Sequence, residues 1–189
     1  MTNSIFTTSV HSGRVPWRGG TPSAPSIVPA SGFFFDSMQE LDAGLGDDRA
    51  GYVYSRNNAP TQEAFEAAMA DLEGGEDAVS FSSGMAALNA AIVAAGAKAG
   101  VAILAAEETY GATKTLLKTM AANAGLIARF VRAGDLDAVE AGLAESRPAA
   151  FVFEILSNPL VRVADAPVLI ALAKRYGAKT IVDSTFTTP

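Results

Sequence analysis

The spacing of apolar residues changes near residue 60. Residues 1–60 are rich in Gly, Pro, Ser and Thr, and short apolar runs such as Phe33-Phe34-Phe35 show no sustained period. This pattern predicts an extended N-terminal arm. From Thr61 onward the apolar residues recur at helical spacing and stop at a pair of glycines: Phe65, Ala68, Met69, Leu72, then Gly74-Gly75. We therefore expect a helix capped by Thr61 and, over residues 61–189, the first part of a packed domain.

Beyond this helix, short apolar runs alternate with longer amphipathic or alanine-rich segments. The short runs predict strands over 78–81, 101–105, 126–131, 149–154 and 180–183. The longer segments predict helices over 84–97, 111–123, 136–144 and 166–176. The alternation indicates an α/β fold with a mostly parallel, doubly wound sheet and helices on both faces. Ligands of such sheets bind beyond the carboxyl ends of the strands, so residues that follow a strand are the first candidates for chemistry.

The composition argues against several classes of function. A net charge of −6, with no basic cluster longer than Lys174-Arg175, disfavours a nucleic-acid partner. The absence of cysteine excludes disulfides and thiolate metal ligands, and the single histidine, His11, disfavours a catalytic triad or a histidine metal site. We predict no metal site. The start of the chain lacks a signal-peptide pattern, and its most apolar stretch, 86–106, is interrupted by polar residues and glycine. We expect a soluble, cytoplasmic protein without a membrane partner.

Two segments that follow predicted strands carry candidate ligand contacts. Ser83, Gly84 and Met85 lie where a strand runs directly into a helix, so free N–H groups and the positive end of the helix dipole would point at one spot. This arrangement suits a phosphate, although small residues are also common in such turns simply because the turn is tight. Tyr110 begins a helix after the next strand, where its ring could stack on a planar ligand or pack beneath the helix terminus.

Three further polar residues have both a functional and a purely structural interpretation. Asn158 precedes a proline, so its amide could face a ligand oxygen or form an Asx turn. Asp183 ends the last predicted strand and could bind magnesium, hold a ribose, pair with a protonated ring nitrogen or cap a helix. Arg56 lies beside Tyr54 in the arm and could grip a phosphate through its guanidinium or lie on the surface.

In this order, the segments resemble the Cys/Met-metabolism family of enzymes that depend on pyridoxal 5'-phosphate (PLP), which includes cystathionine γ-synthases, cystathionine lyases, methionine γ-lyases and O-acylhomoserine sulfhydrylases. The resemblance covers almost the whole chain, and the matching segments are Val10-His11-Ser12-Gly13, Tyr54-Ser55-Arg56, Ala59-Pro60-Thr61, Leu72-Glu73-Gly74-Gly75-Glu76, Ser83-Gly84-Met85-Ala86-Ala87, Tyr110-Gly111-Ala112-Thr113, Ser157-Asn158-Pro159 and residues 183–189. It implies a truncated large domain of the aminotransferase-like fold (fold type I), preceded by the arm.

The resemblance also implies roles for individual residues. Gly84 and Met85, next to Ser83, would hold the cofactor phosphate through their N–H groups, and Tyr110 would stack on the pyridine ring. Asn158 would lie near the phenolic oxygen of the ring.

The remaining implied roles concern the ring nitrogen and a second subunit. Asp183 would hold the pyridinium proton, which makes the ring a better electron sink. Tyr54 and Arg56 would complete the phosphate site of a neighbouring subunit, so a homodimer or homotetramer is expected.

The family's chemistry is transsulfuration of small amino-acid substrates, by carbon–sulfur cleavage or replacement of a γ-substituent. Its Schiff-base lysine lies downstream of Asp183, and the sequence stops at Pro189 before reaching it. We therefore assign no catalytic residue and expect these 189 residues to be inactive alone.

Departures at Ala59 and at Ile155-Leu156 bear on substrate preference. The alternative is a non-catalytic truncated homologue that oligomerises with an intact relative. A nucleotide-binding domain is disfavoured because its glycine-rich motifs are missing.

Overall fold

A computed structural model describes residues 4–12, 22–47 and 50–189, so residues 1–3, 13–21 and 48–49 of the predicted arm lie outside the described part of the chain. The chain divides into two compact units, residues 1–80 with Pro189 and residues 81–188. The four strands and the candidate ligand contacts at their carboxyl ends belong to the second unit.

The second unit is built on a four-stranded parallel sheet. Its strands are β1 (Ala102–Ala106), β2 (Ile127–Val131), β3 (Ala150–Glu154) and β4 (Lys179–Asp183), in the order β2-β1-β3-β4. The predicted α/β sheet is therefore present, and four of the five predicted strands form within one residue of the predicted bounds. The order reverses between β1 and β3, which is where a doubly wound sheet opens a crevice at its carboxyl edge.

Helices cover both faces of this sheet, as predicted. They are α4 (Gly84–Ala94), α5 (Gly111–Ala124), α6 (Leu136–Ser146) and α7 (Ala166–Arg175). Alternate residues of a strand point to opposite faces, so Leu104 and Ala106 of β1 join one core while Ile103 and Ala105 join the other. The first core includes apolar residues of α6 and α7, and the second those of α4 and α5.

The first unit contains the helices α1 (Ile5–His11), α2 (Met38–Gly46) and α3 (Pro60–Glu73). The patterns of residues 1–60 had not predicted α1 and α2. The predicted end of α3 is confirmed, because Gly74 adopts the left-handed conformation (φ 65°) that closes helices. The predicted cap is wrong: α3 begins at Pro60, which needs no partner for an N–H group, and the Thr61 hydroxyl instead accepts the N–H of Val28 at 2.8 Å.

One predicted strand and part of one predicted helix do not form. Residues 78–81 are extended but pair with no strand of the described chain. Their N–H groups turn to carboxylates instead: Ala78 donates to Asp77 at 2.8 Å, and Ser80 donates to Glu66 at 2.6 Å. Helix α4 ends three residues earlier than predicted, because the chain turns at Gly96 with a left-handed φ of 109°.

Two negative findings apply to the described residues. None of their helices is long and apolar enough to cross a membrane. Within the same ranges, no group of three or more His, Cys, Asp or Glu side chains has the arrangement of a metal site.

Candidate active site

A cavity of about 380 Å³ lies at the carboxyl edge of the sheet, within the second unit. Its volume falls in the range of small-molecule sites, roughly 300–1,000 Å³. Six of the eight residues predicted to contact a ligand line this one cavity: Ser83, Gly84, Met85, Tyr110, Asn158 and Asp183. The other lining residues are Leu88, Glu154, Leu156, Thr185 and Phe186. Residues distant in sequence are thus gathered where the order of the strands reverses.

The turn into α4 presents backbone donors to this cavity. Ser83 is the N-cap, and its hydroxyl accepts the N–H of Ala86 at 3.2 Å. The N–H groups of Gly84 and Met85 have no hydrogen-bond partner among the described residues. A Cβ atom built at Gly84 would meet no heavy atom within 4 Å. The packing of the chain therefore does not itself require glycine here, whereas close approach of a ligand anion to the backbone would.

Tyr110 lies at the start of α5, opposite the turn. It is the N-cap residue, its side chain makes no capping hydrogen bond, and it is 49% exposed. Its backbone N–H donates to the carboxylate of Glu154. The phenol ring is therefore free to contact a ligand while the backbone beneath it is held.

Asp183 ends β4 and is held by a local turn. Its Oδ1 accepts both the N–H of Thr185, at 3.1 Å, and the hydroxyl of Thr185, at 2.5 Å. No helix follows in residues 184–189, so helix capping, one of the four sequence interpretations, does not occur. Both contacts fall on a single oxygen, and Oδ2 has no hydrogen bond to another described residue.

Asn158 lies in the loop between β3 and α7. Leu156 pairs with Val163 across this loop, and the buried hydroxyl of Ser157 accepts the N–H of Arg162 at 3.0 Å. These contacts close the loop on itself. Asn158 is exposed at its tip and lines the cavity.

Glu154 was missed by the sequence analysis, although it lies inside the site. It is the last residue of β3, only 8% exposed, and in register with Asp183 on β4. Burial raises the pKa of the Glu154 carboxyl, the N–H of Tyr110 opposes that rise, and the negative charge of Asp183 adds to it, so the pKa lies above its usual value. A carboxylate ending an apolar strand was the signal that selected Asp183, and applied to 149–154 the same signal would have found Glu154.

Tyr54 and Arg56 belong to the first unit, and neither is among the residues that line the cavity. The Arg56 guanidinium stands 5.1 Å from the centre of the Tyr54 ring, in a cation–π contact, and both side chains are exposed. The two residues thus form one cationic, aromatic pair on the surface of their own unit.

A family model described as "Cys/Met metabolism PLP-dependent enzyme" matches residues 6–189. The chain belongs to this family. Among curated relatives, the cystathionine beta-lyase of Lactococcus lactis subsp. cremoris (strain MG1363) is 40% identical over 146 residues, which are 77% of this chain and 37% of that enzyme. The chain therefore spans less than half the length of this Cys/Met-metabolism relative.

Solved structures of family members agree with the fold. Cystathionine gamma synthase from Xanthomonas oryzae pv. oryzae, in complex with cystathionine, aligns with a TM-score of 0.87 at 30% identity, over 100% of this chain and 46% of that one. A Campylobacter jejuni protein assigned as an O-acetylhomoserine (thiol)-lyase aligns with a TM-score of 0.89 at 27% identity, over 99% of this chain and 45% of that one. Its structure contains N'-pyridoxyl-lysine-5'-monophosphate, in agreement with the PLP dependence that defines the family.

The cavity has the donor set that PLP requires. The unpartnered N–H groups and the open space at Gly84 suit a phosphate, and the carboxylate of Asp183 suits a protonated ring nitrogen. The exposed ring of Tyr110, which lines the same cavity, offers a flat apolar face. A neighbouring cavity of about 720 Å³ is lined by the start of α6 and by charged residues that include Arg132, Asp135 and Arg162, and no aromatic side chain of the described residues lines it.

Proposed function

We propose that the protein containing this chain is a PLP-dependent enzyme of sulfur amino-acid metabolism. Its reaction would be cleavage of a carbon–sulfur bond or replacement of a γ-substituent in a small amino acid. The observation that carries this proposal is the convergence of four separate segments on one cavity, each with the donor or acceptor that one part of PLP needs. Family membership supports the same reaction class, because the named relatives include cystathionine lyases, a methionine gamma-lyase and cystathionine gamma-synthases.

In this proposal the chain's own residues bind and polarise the cofactor. The N–H groups of Gly84 and Met85, with the dipole of α4 and the Ser83 cap behind them, would hold the phosphate. Tyr110 would cover one face of the ring, and the Asn158 amide would lie near its phenolic oxygen. When bound, PLP supplies an electron sink for the bond broken at the α-carbon of an amino acid.

Asp183 would keep the ring nitrogen protonated. A carboxylate in contact with a ring N–H favours the cationic form of that ring, since the opposite charges stabilise each other. Thr185 would act indirectly, because its hydroxyl and N–H both fix Oδ1 of Asp183 and so direct Oδ2 toward the cavity. The protonated ring, and so its capacity to accept electrons, would thus depend on Asp183 at the end of β4 and on the turn that follows it.

The covalent lysine is expected outside these residues. All five lysines of the chain are described (Lys98, Lys114, Lys118, Lys174 and Lys179), and none of them lines the cavity. Lys179 begins β4, so about four strand residues, roughly 13 Å, separate its backbone from that of Asp183. Its ammonium contacts the Ala94 carbonyl at 3.4 Å instead.

Borohydride reduction in the presence of PLP tests this assignment. We expect a pyridoxyl group on a lysine that follows Asp183 in the full protein, identified by peptide mass spectrometry, and none on the five lysines of this chain. In a separate assay without borohydride, the full protein should produce an α-keto acid from cystathionine, or consume an O-acylated homoserine together with a thiol. A pyridoxyl group on Lys114 or Lys179, or absence of PLP binding altogether, would overturn the proposal.

We propose further that the enzyme is a homodimer or a homotetramer, in which Tyr54 and Arg56 reach the phosphate site of a neighbouring subunit. Their exposure and their pairing in the first unit support this role. The same unit exposes large apolar side chains, notably Phe6, Ile27 and Phe34, as a subunit interface would require. The non-catalytic alternative makes a different prediction, namely that a protein of these 189 residues incorporates into assemblies of an intact relative without adding active sites.

A further inference from the structure

We propose that Glu154 is a positioning residue that holds Tyr110 and the Asn158 loop in the geometry that cofactor binding needs. The inference rests on the proposed function, since it concerns the same cavity. Glu154 ends β3, lines the cavity, and accepts the backbone N–H of Tyr110. Glu154 is also the last strand residue before the loop that carries Asn158. One side chain therefore joins the start of α5 to the strand end from which the Asn158 loop leaves.

The topology of the sheet explains why a side chain is needed to link the end of β3 to the start of α5. The connection after β1 runs into α5 on one face of the sheet, and the connection after β3 runs into α7 on the other. The two connections diverge at this point, and the crevice between them has no backbone pairing to fix its width. The carboxylate of Glu154 reaches from β3 to the start of α5 and spans that crevice.

A carboxylate suits this position for a local reason. The first N–H groups of a helix lack partners within the helix, and α5 begins at Tyr110 without any side-chain cap of its own. An anionic acceptor at a helix start also interacts favourably with the helix dipole. Glu154 therefore supplies from another strand the cap that the sequence around Tyr110 lacks, and the orientation of the Tyr110 ring follows from where that cap sits.

The surroundings leave little tolerance for a different group. Glu154 is 8% exposed and stands in register with Asp183 on β4, while Lys114 on α5 contributes the opposing positive charge. Burial and Asp183 raise the pKa of Glu154, and the N–H groups of Tyr110 and Asn158 and the charge of Lys114 lower it.

The test compares Glu154→Gln, Glu154→Asp and Glu154→Ala in the full protein. Glutamine keeps an acceptor oxygen at the same reach, aspartate keeps the charge but is one methylene shorter, and alanine keeps neither. We measure the dissociation constant for PLP by fluorescence titration and the visible circular dichroism of the bound cofactor. We expect near-normal values for Glu154→Gln, which keeps an acceptor within reach of the Tyr110 N–H, and about tenfold weaker binding with a diminished visible signal for Glu154→Asp and Glu154→Ala, which lose that reach.

Glu108 provides a matched control. It ends the segment after β1, its carboxylate accepts the N–H of Ala133 at 3.1 Å, and it pairs with Arg162 at 3.7 Å, yet it does not line the cavity. Glu108→Ala should lower thermal stability without changing the visible signal of bound PLP. If Glu108→Ala and Glu154→Ala reduce that signal equally, the role of Glu154 is structural only and the proposal is overturned.

The remaining outcomes separate this inference from the proposed function. If the wild-type protein fails to bind PLP, the proposed function itself is wrong. If the wild type binds PLP and all three Glu154 variants match it in affinity and in visible signal, only the positioning role is wrong. Should Glu154→Ala fail to fold, the contrast between Glu154→Gln and Glu154→Asp decides the matter, and equality of both with the wild type overturns the inference.

Discussion

The two units of the chain bury their apolar side chains to very different extents. In residues 81–188 the interior holds fully buried large side chains, among them Ile103, Leu117 and Phe151 at 0% exposure. In the described part of residues 1–80 the buried apolar residues are two alanines, Ala59 at 7% and Ala64 at 6%. Phe34 of the same unit is fully exposed, at 106%.

This difference matches the difference in sequence pattern. Apart from those of α3, the apolar residues with a strand or helix period belong to the second unit, where the sheet and its helices bury them against one another. Apolar residues without a period belong to the first unit, where the chain itself leaves them on the surface. We infer that the second unit is specified by its own interior, and that the first carries apolar surface meant for contact with another subunit.

The largest expected effect is loss of a core aromatic from the second unit. Phe151→Ala removes a fully buried ring whose centre lies 5.2 Å from that of Phe153, and should lower the free energy of unfolding by about 3–5 kcal/mol. The matched change in the first unit, Phe34→Ala, should alter stability only in a manner that depends on protein concentration. Urea unfolding at several concentrations measures both. A concentration-independent loss in Phe34→Ala as large as that in Phe151→Ala would contradict the comparison.

The next effect concerns the strand-end carboxylate. Asp183→Asn keeps the shape and the contacts of Oδ1 with Thr185 but removes the charge, so the cofactor ring nitrogen should lose its proton. We expect turnover of cystathionine to fall about a hundredfold, as when one partner of a buried charge pair is removed. Asp165→Asn is the control, because Asp165 caps α7 through the N–H of Val168 at 3.3 Å, away from the cavity. Equal losses of activity in both variants would refute a specific role for Asp183.

A third prediction asks whether the first unit serves a neighbouring subunit. Arg56→Ala should weaken PLP binding about tenfold through loss of a charged phosphate contact. At a PLP concentration too low to saturate Arg56→Ala, mixing it with Asp183→Asn should then raise activity above the mean of the two separate proteins, because a mixed dimer contains one site without either change. In an equal mixture about a quarter of all sites should carry neither change after subunit exchange. If activity stays at that mean while exchange is demonstrated by mass spectrometry, Arg56 acts within its own subunit or not at all.

The sequence was sufficient for the sheet, where periodic apolar residues leave few alternatives. It predicted β3 and β4 within one residue because each contains a short apolar run, and it predicted the end of α3 because Gly74 readily adopts a left-handed conformation. It failed for residues 78–81. Their β-like composition is the same as in the other strands, but Asp77 and Glu66 supply the acceptors that a neighbouring strand would otherwise provide.

The site was predictable where a residue follows a strand and carries its own chemistry, as Tyr110 and Asp183 do. Glu154 carries the same strand-end signal as Asp183, but its positioning role could not be predicted, because its partner is a backbone N–H 44 residues earlier in the chain and that contact depends on the strand order. The sequence likewise cannot show whether Arg56 contributes to the same site, since that depends on how the subunits assemble. Local patterns thus identify side chains that act directly, and tertiary structure is needed for those that position them.

The smallest expected effect is a contrast in pH dependence between one carboxylate of each unit, the half-buried Glu66 and the buried Glu154. In the first unit, burial raises the pKa of Glu66, but hydrogen bonds from Ser80 and Gln62 outweigh it, so the pKa lies below its usual value of 4.5. In the second unit the pKa of Glu154 lies above 4.5, chiefly because of burial. A lowered pKa contributes stability above pH 4.5 that is lost as the pH falls, and a raised pKa gives the opposite dependence.

Glu66→Gln and Glu154→Gln should therefore change the pH profile of unfolding with opposite signs. Relative to Glu66→Gln, the wild type should gain free energy of unfolding as the pH rises toward 4.5, because the unfolded carboxyl still holds its proton there. Relative to Glu154→Gln, the wild type should lose free energy of unfolding as the pH rises beyond 4.5, since the folded Glu154 retains a proton that the unfolded chain releases. Urea unfolding from pH 3 to pH 8 measures both differences. If the difference in free energy of unfolding between wild type and variant changes with pH in the same direction for Glu66→Gln and Glu154→Gln, the predicted contrast between the two carboxylates is wrong.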